Sequence, residues 1–343
     1  MDITKLLDFS VKHNASDLHL SVGVVPMVRI DGDLKAIDAP ILNHRCFAQI
    51  LAVLCSEKER LTLAEIGYLD VSIDWRDLGR FRVSFFYKLS GYGAVFRIIP
   101  QSIPKLDGLV SATVFEHLTA LSEGMVLVTG PTGSGKSTTL AALIEYINLN
   151  QSKHIVTLED PVEYVYRSQR SLITQRTLRP QEQSFEQVLQ SVLRVDPDVI
   201  VVGELRSEAS IRFALTAAET GHLVLATLHT RSAAQTIERI IDATSGPSLS
   251  MTQGLLASCL QMIITQRLLK RIEGGRVACY EVLRATQAIR NLIREGKHTQ
   301  IHSVMQLGHE YGMQTFSQHA TCLVSEGVVS SGEAKPLMIY NRA

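Results

Sequence analysis

The fold of this chain is decided by the stretch Gly130-Pro131-Thr132-Gly133-Ser134-Gly135-Lys136-Ser137, which matches G-x-x-x-x-G-K-[ST] at every fixed position. An apolar run at 125–128 precedes it and predicts a buried strand, and Thr138 continues it into a predicted helix. Glycines let the backbone curl so that successive N–H groups and the helix N-terminus face a phosphate. In this motif the lysine reaches the β- and γ-phosphates, and the serine hydroxyl holds Mg²⁺. The sequence therefore predicts a site for a nucleoside triphosphate and Mg²⁺ at residues 130–138.

The bulk composition is that of a soluble globular protein. The chain has 343 residues, 45% hydrophobic and 20% charged, with a formal net charge of zero. This length is enough for two domains, and the zero net charge argues against a nucleic-acid partner. The N-terminus lacks a signal peptide and no apolar run is long enough to span a membrane, so we expect a cytoplasmic protein. The five cysteines are scattered, which predicts reduced packing residues without a metal site.

The sequence pattern changes near residue 100, which predicts two domains. Residues 1–100 begin with an amphipathic helix and continue with alternating strands and a hairpin turn at Asp31-Gly32-Asp33, which indicates a small α+β domain. Pro100 and Pro104 predict a linker at 101–111. Strands then alternate with helices over residues 112–343, which predicts an α/β domain with a largely parallel sheet. The last seventy residues are predicted to be helical. The predicted strands of this domain are 125–128, 155–158, 199–202 and 223–228, with a helix at 207–220.

Polar side chains follow two of these strands. Glu204 ends the run at 199–202 and resembles a Walker B acid, which predicts a position across from Ser137 near Mg²⁺. His222 and His229 bracket the next strand, and we expect the pair to sense the γ-phosphate. Ligands of open α/β sheets bind beyond the carboxyl ends of strands, where Glu204 and His229 stand.

Three further carboxylates follow the strand at 155–158. They are Glu159, Asp160 and Glu163. Near a triphosphate they are candidates for metal binding or for polarising water, with Glu163 a candidate general base. The residues themselves do not rank the three.

In order and spacing, these motifs resemble the secretion ATPase superfamily that powers type IV pili and type II secretion. The elements are the phosphate loop, the acidic box at 159–163, the Gly203-Glu204 pair and the histidine box at 221–229. Residues 288–295 resemble the C-terminal motif of PilT-like pilus retraction ATPases, and 16–20 fit the same subfamily. The resemblance implies a PAS-like N-terminal domain and a RecA-like P-loop ATPase domain. It also implies a homohexamer, ATP between domains and subunits, and a pilus platform protein as partner at the cytoplasmic face of the inner membrane.

The resemblance also implies roles for individual residues. Arginines suit a transition state with spread negative charge, because their forks match phosphate geometry. Ser207 stands where an acidic residue is expected in the closest relatives, and the tail beyond 330 has little family character. The implied roles are the catalytic glutamate of the acidic box for Glu163, the Walker B glutamate for Glu204, the histidine box for His222 and His229, and arginines supplied by the N-terminal domain for Arg80, Arg82 and Arg97.

Retraction by ATP hydrolysis is the favoured function, with two alternatives open. Extension and secretion motors of the superfamily usually carry an added N-terminal domain and zinc-binding cysteine pairs, which this sequence lacks. A nucleotide-gated assembly factor with incidental hydrolysis also stays possible, because the rate of hydrolysis depends on sub-ångström placement. The helix at 288–295 is by its spacing an ordinary amphipathic helix, and only the resemblance makes it a coupling element.

Overall fold

The computed structural model describes residues 2–75, 78–99, 103–105, 112–160, 162–177, 185–244 and 249–339. The chain divides into two compact units, unit 1 over residues 1–102 and unit 2 over 103–343. Most of the predicted linker at 101–111 lies outside the described residues, as does Pro100. Within the described ranges, no helix combines the length and the apolar character needed to cross a bilayer.

Unit 1 is an antiparallel sheet covered by helices. Its strands run in the order β3-β2-β1-β6-β5-β4, and every neighbouring pair is antiparallel. The β2–β3 hairpin turns through Asp31 and Gly32, both with positive φ (51° and 93°), as two-residue hairpin turns require. The elements are α1 (Ile3–Lys12), β1 (Asp17–Ser21), β2 (Met27–Ile30), β3 (Asp33–Ala36), α2 (His44–Leu54), α3 (Glu57–Ile66), β4 (Tyr68–Trp75), β5 (Gly79–Lys88) and β6 (Gly91–Ile99).

The core of unit 1 follows from the alternation of its strands. Phe81, Val83 and Phe85 are buried on one face of β5, and Phe96 of β6 meets Phe85 edge to face. The amphipathic helix α1 buries its apolar side in the same cluster. The small α+β unit is therefore built as the alternation predicts.

Unit 2 contains a sheet of seven strands among its described residues. The order is β13-β12-β7-β11-β10-β8-β9, parallel throughout except for the β12–β13 pair. Strands β7, β10 and β11 are buried along their whole length, which explains their continuous apolar sequence. The elements are α4 (Ala112–Ala120), β7 (Gly124–Thr129), α5 (Lys136–Asn150), β8 (His154–Glu159), β9 (Leu172–Thr177), α6 (Phe185–Val192), β10 (Val199–Val202), α7 (Glu208–Glu219), β11 (Leu223–Leu228), α8 (Ala233–Ala243), α9 (Leu249–Cys259), β12 (Leu260–Lys270), β13 (Arg276–Arg284), α10 (Gln287–Arg294), α11 (Ile301–Leu307), α12 (Phe316–Ser325) and α13 (Ser331–Ile339).

The prediction of an all-helical C-terminal segment was wrong for β13, and β12 just before it was not predicted. Helix α9 ends at Cys259 and β12 begins at the next residue, with no glycine or proline between them. Short apolar runs do not distinguish a strand from a buried helix by periodicity. Only pairing with β7 and with each other makes these segments strands.

The parallel strands bring the motifs to one edge of the sheet. Strand β11 lies between β7 and β10, and β8 lies beyond β10. Because parallel strands share a direction, the loops that follow β7, β8, β10 and β11 leave the sheet at the same edge. The phosphate loop, the acidic box, Glu204 and His229 all occupy these loops.

Candidate functional site

The phosphate loop connects β7 to α5 through three glycines with positive φ. These are Gly130 (141°), Gly133 (77°) and Gly135 (88°). Other residues rarely adopt such angles. At Gly130 a Cβ atom would also lie only 2.3 Å from the backbone oxygen of Gln266. The loop therefore needs glycine for its conformation and for its close approach to β12.

Lys136 is buried and turned onto its own loop. Its Nζ donates to the carbonyl oxygens of Gly130 (2.9 Å) and Pro131 (3.0 Å). Burial lowers the pKa of Lys136, and the negative charges of Glu204 and Glu163 oppose that shift. Both carboxylates therefore act on the lysine that the motif assigns to phosphate.

Glu204, His229 and Lys136 form a chain of contacts at the edge of the sheet. His229 Nε2 lies 3.3 Å from Glu204 Oε1, and His229 Nδ1 lies 3.4 Å from Lys136 Nζ. An ammonium group only donates, so Nδ1 accepts and Nε2 carries the proton that is donated to Glu204. The imidazole thus bridges a carboxylate and an ammonium group.

Arg206 completes this chain on its solvent side. Its Nη2 lies 2.8 Å from Glu204 Oε2, and its side chain is 66% exposed. Burial raises the pKa of Glu204, but the hydrogen bonds from Arg206 and His229 and the charge of Arg206 outweigh it, so the pKa is lowered. Glu204 is therefore held as a carboxylate.

The two glutamates of the acidic box have different surroundings. Glu159 is hydrogen-bonded within the turn, whereas Glu163 acts on Lys136. Glu159 accepts hydrogen bonds from Thr157 (2.8 Å), from Gln175 (3.1 Å) and from the backbone N–H of Glu163 (3.3 Å). Burial raises the pKa of Glu159, and these hydrogen bonds oppose the shift. Both oxygens of Glu159 therefore shape the turn, whereas the charge of Glu163 acts on Lys136.

One hydrogen bond and one charge interaction tie the box to its surroundings. The hydroxyl of buried Tyr164 lies 3.1 Å from the hydroxyl of Thr138, in the first turn of α5. The charge of exposed Asp160 helps to raise the pKa of Arg206. Ser137 is half-buried in the same first turn of α5.

His222 lies far from this network. Its Nδ1 is 3.0 Å from the carbonyl oxygen of Ala217 and 3.2 Å from the hydroxyl of Thr220. His222 precedes the six residues of β11 and His229 follows them, which separates the two by roughly 20 Å. The prediction that both histidines of one chain sense one γ-phosphate was therefore wrong, because they lie at opposite edges of the sheet. A catalytic role for His222 stays a prediction.

The three candidate arginines lie on β5 and β6 of unit 1. Arg82 and Arg97 are directly opposite each other in the antiparallel register. Like charges in that position destabilise a sheet, and nearby carboxylates reduce the cost. Their role toward a nucleotide stays a prediction. The ion pairs are Arg80 with Asp74 (3.7 Å), Arg82 with Asp70 (3.7 Å) and Arg97 with buried Asp17 (3.0 Å).

Sequence reasoning missed one residue that contacts the loop and two that contact its neighbours. Gln266 donates from Nε2 to the carbonyl oxygen of Ser134 (2.6 Å), and the Thr265 hydroxyl meets that of Thr129 (2.9 Å). Both come from β12, so no sequence signal marked them. Arg206 stands two residues after Glu204. This closeness in sequence could have identified it as a residue of the site.

The model of the family described as type II/IV secretion system protein matches residues 2–335 of the chain. The chain belongs to this family. A type IV pilus retractation ATPase, PilT, of Pseudomonas aeruginosa is 46% identical over 335 residues, 98% of this chain and 97% of the relative. A twitching motility protein of Neisseria gonorrhoeae is 45% identical over 311 residues, 90% of this chain and 83% of that protein.

A solved structure of the family agrees in fold with this chain. The crystal structure of the pilus retraction motor PilT with bound ADP superposes with a TM-score of 0.85 at 42% identity, covering 97% of this chain and 96% of the other. The resemblance to PilT-like members of the family, the α/β class with a RecA-like domain and the assignment as an ATPase are thereby confirmed.

Proposed function

We propose that this ATPase is a motor for type IV pilus retraction, in which ATP hydrolysis drives the removal of pilin from the pilus base. The observation that carries the proposal is the chain of contacts from Glu204 through His229 to Lys136 at the phosphate loop. The near full-length similarity to a retraction ATPase supports pilus retraction as the process that this hydrolysis drives.

Each residue of the site has a proposed task in hydrolysis. The loop N–H groups and Lys136 bind the β- and γ-phosphates, for which Lys136 exchanges its two loop carbonyls for phosphate oxygens. Glu163 accepts a proton from the attacking water as general base. His229 is placed to respond to the γ-phosphate, because it touches both Lys136 and Glu204.

Ser137 and Glu204 have the donor chemistry for Mg²⁺. A hydroxyl and a carboxylate are oxygen ligands of the kind this ion prefers, and Mg²⁺ usually keeps several waters. Both oxygens of Glu204 already have partners, so we propose that Glu204 reaches the ion through water. The bound ion would neutralise charge on the phosphates.

We further propose that the motor is a homohexamer in which unit 1 supplies Arg80, Arg82 and Arg97 to a nucleotide. The opposed positions of Arg82 and Arg97 support this, because an anion would reduce their repulsion further than Asp70 and Asp17 already do. The hexamer would act at the cytoplasmic face of the inner membrane, on a platform protein of the pilus machinery.

The test in solution is ATPase activity against protein concentration, with sedimentation on the same samples. We expect activity to appear as a hexamer forms. Lys136→Ala should lose nucleotide binding, and Glu204→Ala should bind ATP but hydrolyse it at least ~100-fold more slowly. Tight ATP binding without turnover in any assembled state would instead indicate the nucleotide-gated assembly factor.

The test in cells is complementation of a piliated strain that lacks its own retraction motor. We expect the chain to restore twitching, and Lys136→Ala to fail at equal expression. A strain that expresses the chain at the same level but stays piliated and does not twitch would contradict the proposed direction of the motor.

A further inference from the structure

Gln266 reaches the phosphate loop from β12, outside the phosphate loop itself, the acidic box, the Gly203-Glu204 pair and the histidine box. Its side chain is 1% exposed, and its Nε2 donates to the carbonyl oxygen of Ser134 at 2.6 Å. A Cβ atom at Gly135 would lie 3.0 Å from the same nitrogen, so the amide also packs against Gly135. The amide orientation is determined by this contact, because exchanging its O and N would place two acceptors together.

The contact fixes the direction of one peptide group. A trans peptide is planar, so its C=O and N–H point in opposite directions. When Gln266 holds the Ser134 carbonyl toward β12, the Gly135 N–H is directed away from β12. Rotation of this peptide would change φ of Gly135, which is glycine at 88° and is sterically free to adopt other values. The loop itself therefore does little to prevent the peptide from flipping.

We propose that Gln266 is a positioning residue that locks the Ser134–Gly135 peptide with its N–H facing the phosphate. The inference rests on the proposed nucleotide site, since it assigns that N–H to a phosphate oxygen. Without the lock, the flipped peptide presents the Ser134 carbonyl oxygen to the phosphate. A hydrogen-bond donor is then replaced by an acceptor that repels the anion.

A buried glutamine at this position lowers the stability of the fold. We therefore expect it to have a function that an apolar residue would not supply. Its Oε1 is buried and has no hydrogen-bond partner within the part of the chain that the structure describes. An unpaired buried acceptor destabilises a protein. The neighbours Ile263 and Ile264 on the same strand are buried and apolar, so an apolar side chain would satisfy packing alone.

The experiment measures the affinity of the full chain for ADP and for inorganic pyrophosphate by calorimetry. Gln266→Met keeps the length of the side chain and removes the donor. We expect both affinities to fall by ~10-fold or more, the scale of a lost hydrogen bond to a charged group. Because the contact serves ground state and transition state alike, KM for ATP should rise more than kcat falls. Gln261→Met is the matched control on β12, where Gln261 accepts from Arg290 (3.3 Å), and it should leave both affinities within about 2-fold.

A second variant keeps the test decisive if Gln266→Met does not fold. Gln266→Glu donates to Ser134 only when protonated, so its pyrophosphate affinity relative to the unmodified chain should recover as the pH falls from about 8.5 to about 6. Unchanged affinity in a folded Gln266→Met variant, or a Gln266→Glu variant without recovery, would overturn the positioning role. Failure of the unmodified chain to bind ADP or pyrophosphate would instead contradict the nucleotide site.

Discussion

The carboxyl group of Glu281 is buried on β13 and joins the sheet to the loop after His229. The residue is 2% exposed, and its Oε1 accepts a hydrogen bond of 2.7 Å from the backbone N–H of Ala233, the first residue of α8. Burial raises the pKa of Glu281 to about 7 from its ordinary 4.5, while the bond from Ala233 and the charge of Arg267 oppose the shift. We predict that Glu281→Gln removes a pH dependence of stability between these two values.

The sign and size of the effect follow from proton binding. Between pH 4.5 and about 7 the native state holds a proton that the unfolded state has released, so stability falls as the pH rises through this window. At about 1.4 kcal/mol per pKa unit, the full loss above pH 7 is roughly 3 kcal/mol. Glutamine stays neutral at every pH, so the variant escapes this loss. Any loss of stability from the amide N–H groups of glutamine is the same at each pH, so it does not change the difference between the two pH values.

The assay compares melting temperatures of variant and unmodified chain at about pH 4.5 and at about pH 8.5. In a unit of this size, ~3 kcal/mol corresponds to roughly 6–12 °C. We therefore expect the melting temperature of the variant, relative to that of the unmodified chain, to be roughly 6–12 °C higher at the higher pH than at the lower pH. Glu295→Gln is the control, because Glu295 is 55% exposed and should show no such change. An equal difference at both pH values for Glu281→Gln would refute the reasoning.

Three further predictions concern the phosphate loop, the carboxylate of Glu204 and helix α10. Gly130→Ala should abolish ADP binding in calorimetry, because φ is 141° and the methyl group would lie 2.3 Å from a backbone oxygen of β12; retained affinity would contradict the tight fit. Arg206→Met should move the acid limb of the ATPase pH profile to higher pH, because Arg206 lowers the pKa of Glu204; an unmoved limb would remove Arg206 from the site. Arg290→Ala should lower stability by about 2 kcal/mol in a melting assay, since Arg290 Nη1 donates to two backbone carbonyls at the end of α9, whereas Arg294→Ala should be nearly neutral.

The interactions along short stretches of chain were predictable from the sequence. The phosphate loop needs only a strand, glycines at set positions and a helix start, and all of these are adjacent in residues 124–150. Strands β10 and β11 are buried on both faces, so their composition alone marks them. The parallel order of such strands then brings Glu204 and His229 to the loop, and the sequence predicted both as site residues.

Contacts between distant segments were decided only by tertiary structure. The sequence does not distinguish Glu159 from Glu163. In the folded structure, Glu159 accepts hydrogen bonds from Thr157 and Gln175, whereas the charge of Glu163 acts on Lys136. His222 and His229 look like a pair in sequence, yet the length of β11 separates them.

Strand β12 is the clearest case of this limit. Its sequence follows α9 without a break, and its identity as a strand depends on hydrogen bonds to β7, more than a hundred residues earlier. Gln266 therefore carries no local signal, although it contacts Ser134 at the centre of the phosphate loop. The sequence determined the chemistry of the loop because that chemistry is local. The folded structure determined what holds the loop in place, because those partners meet only when the sheet is complete.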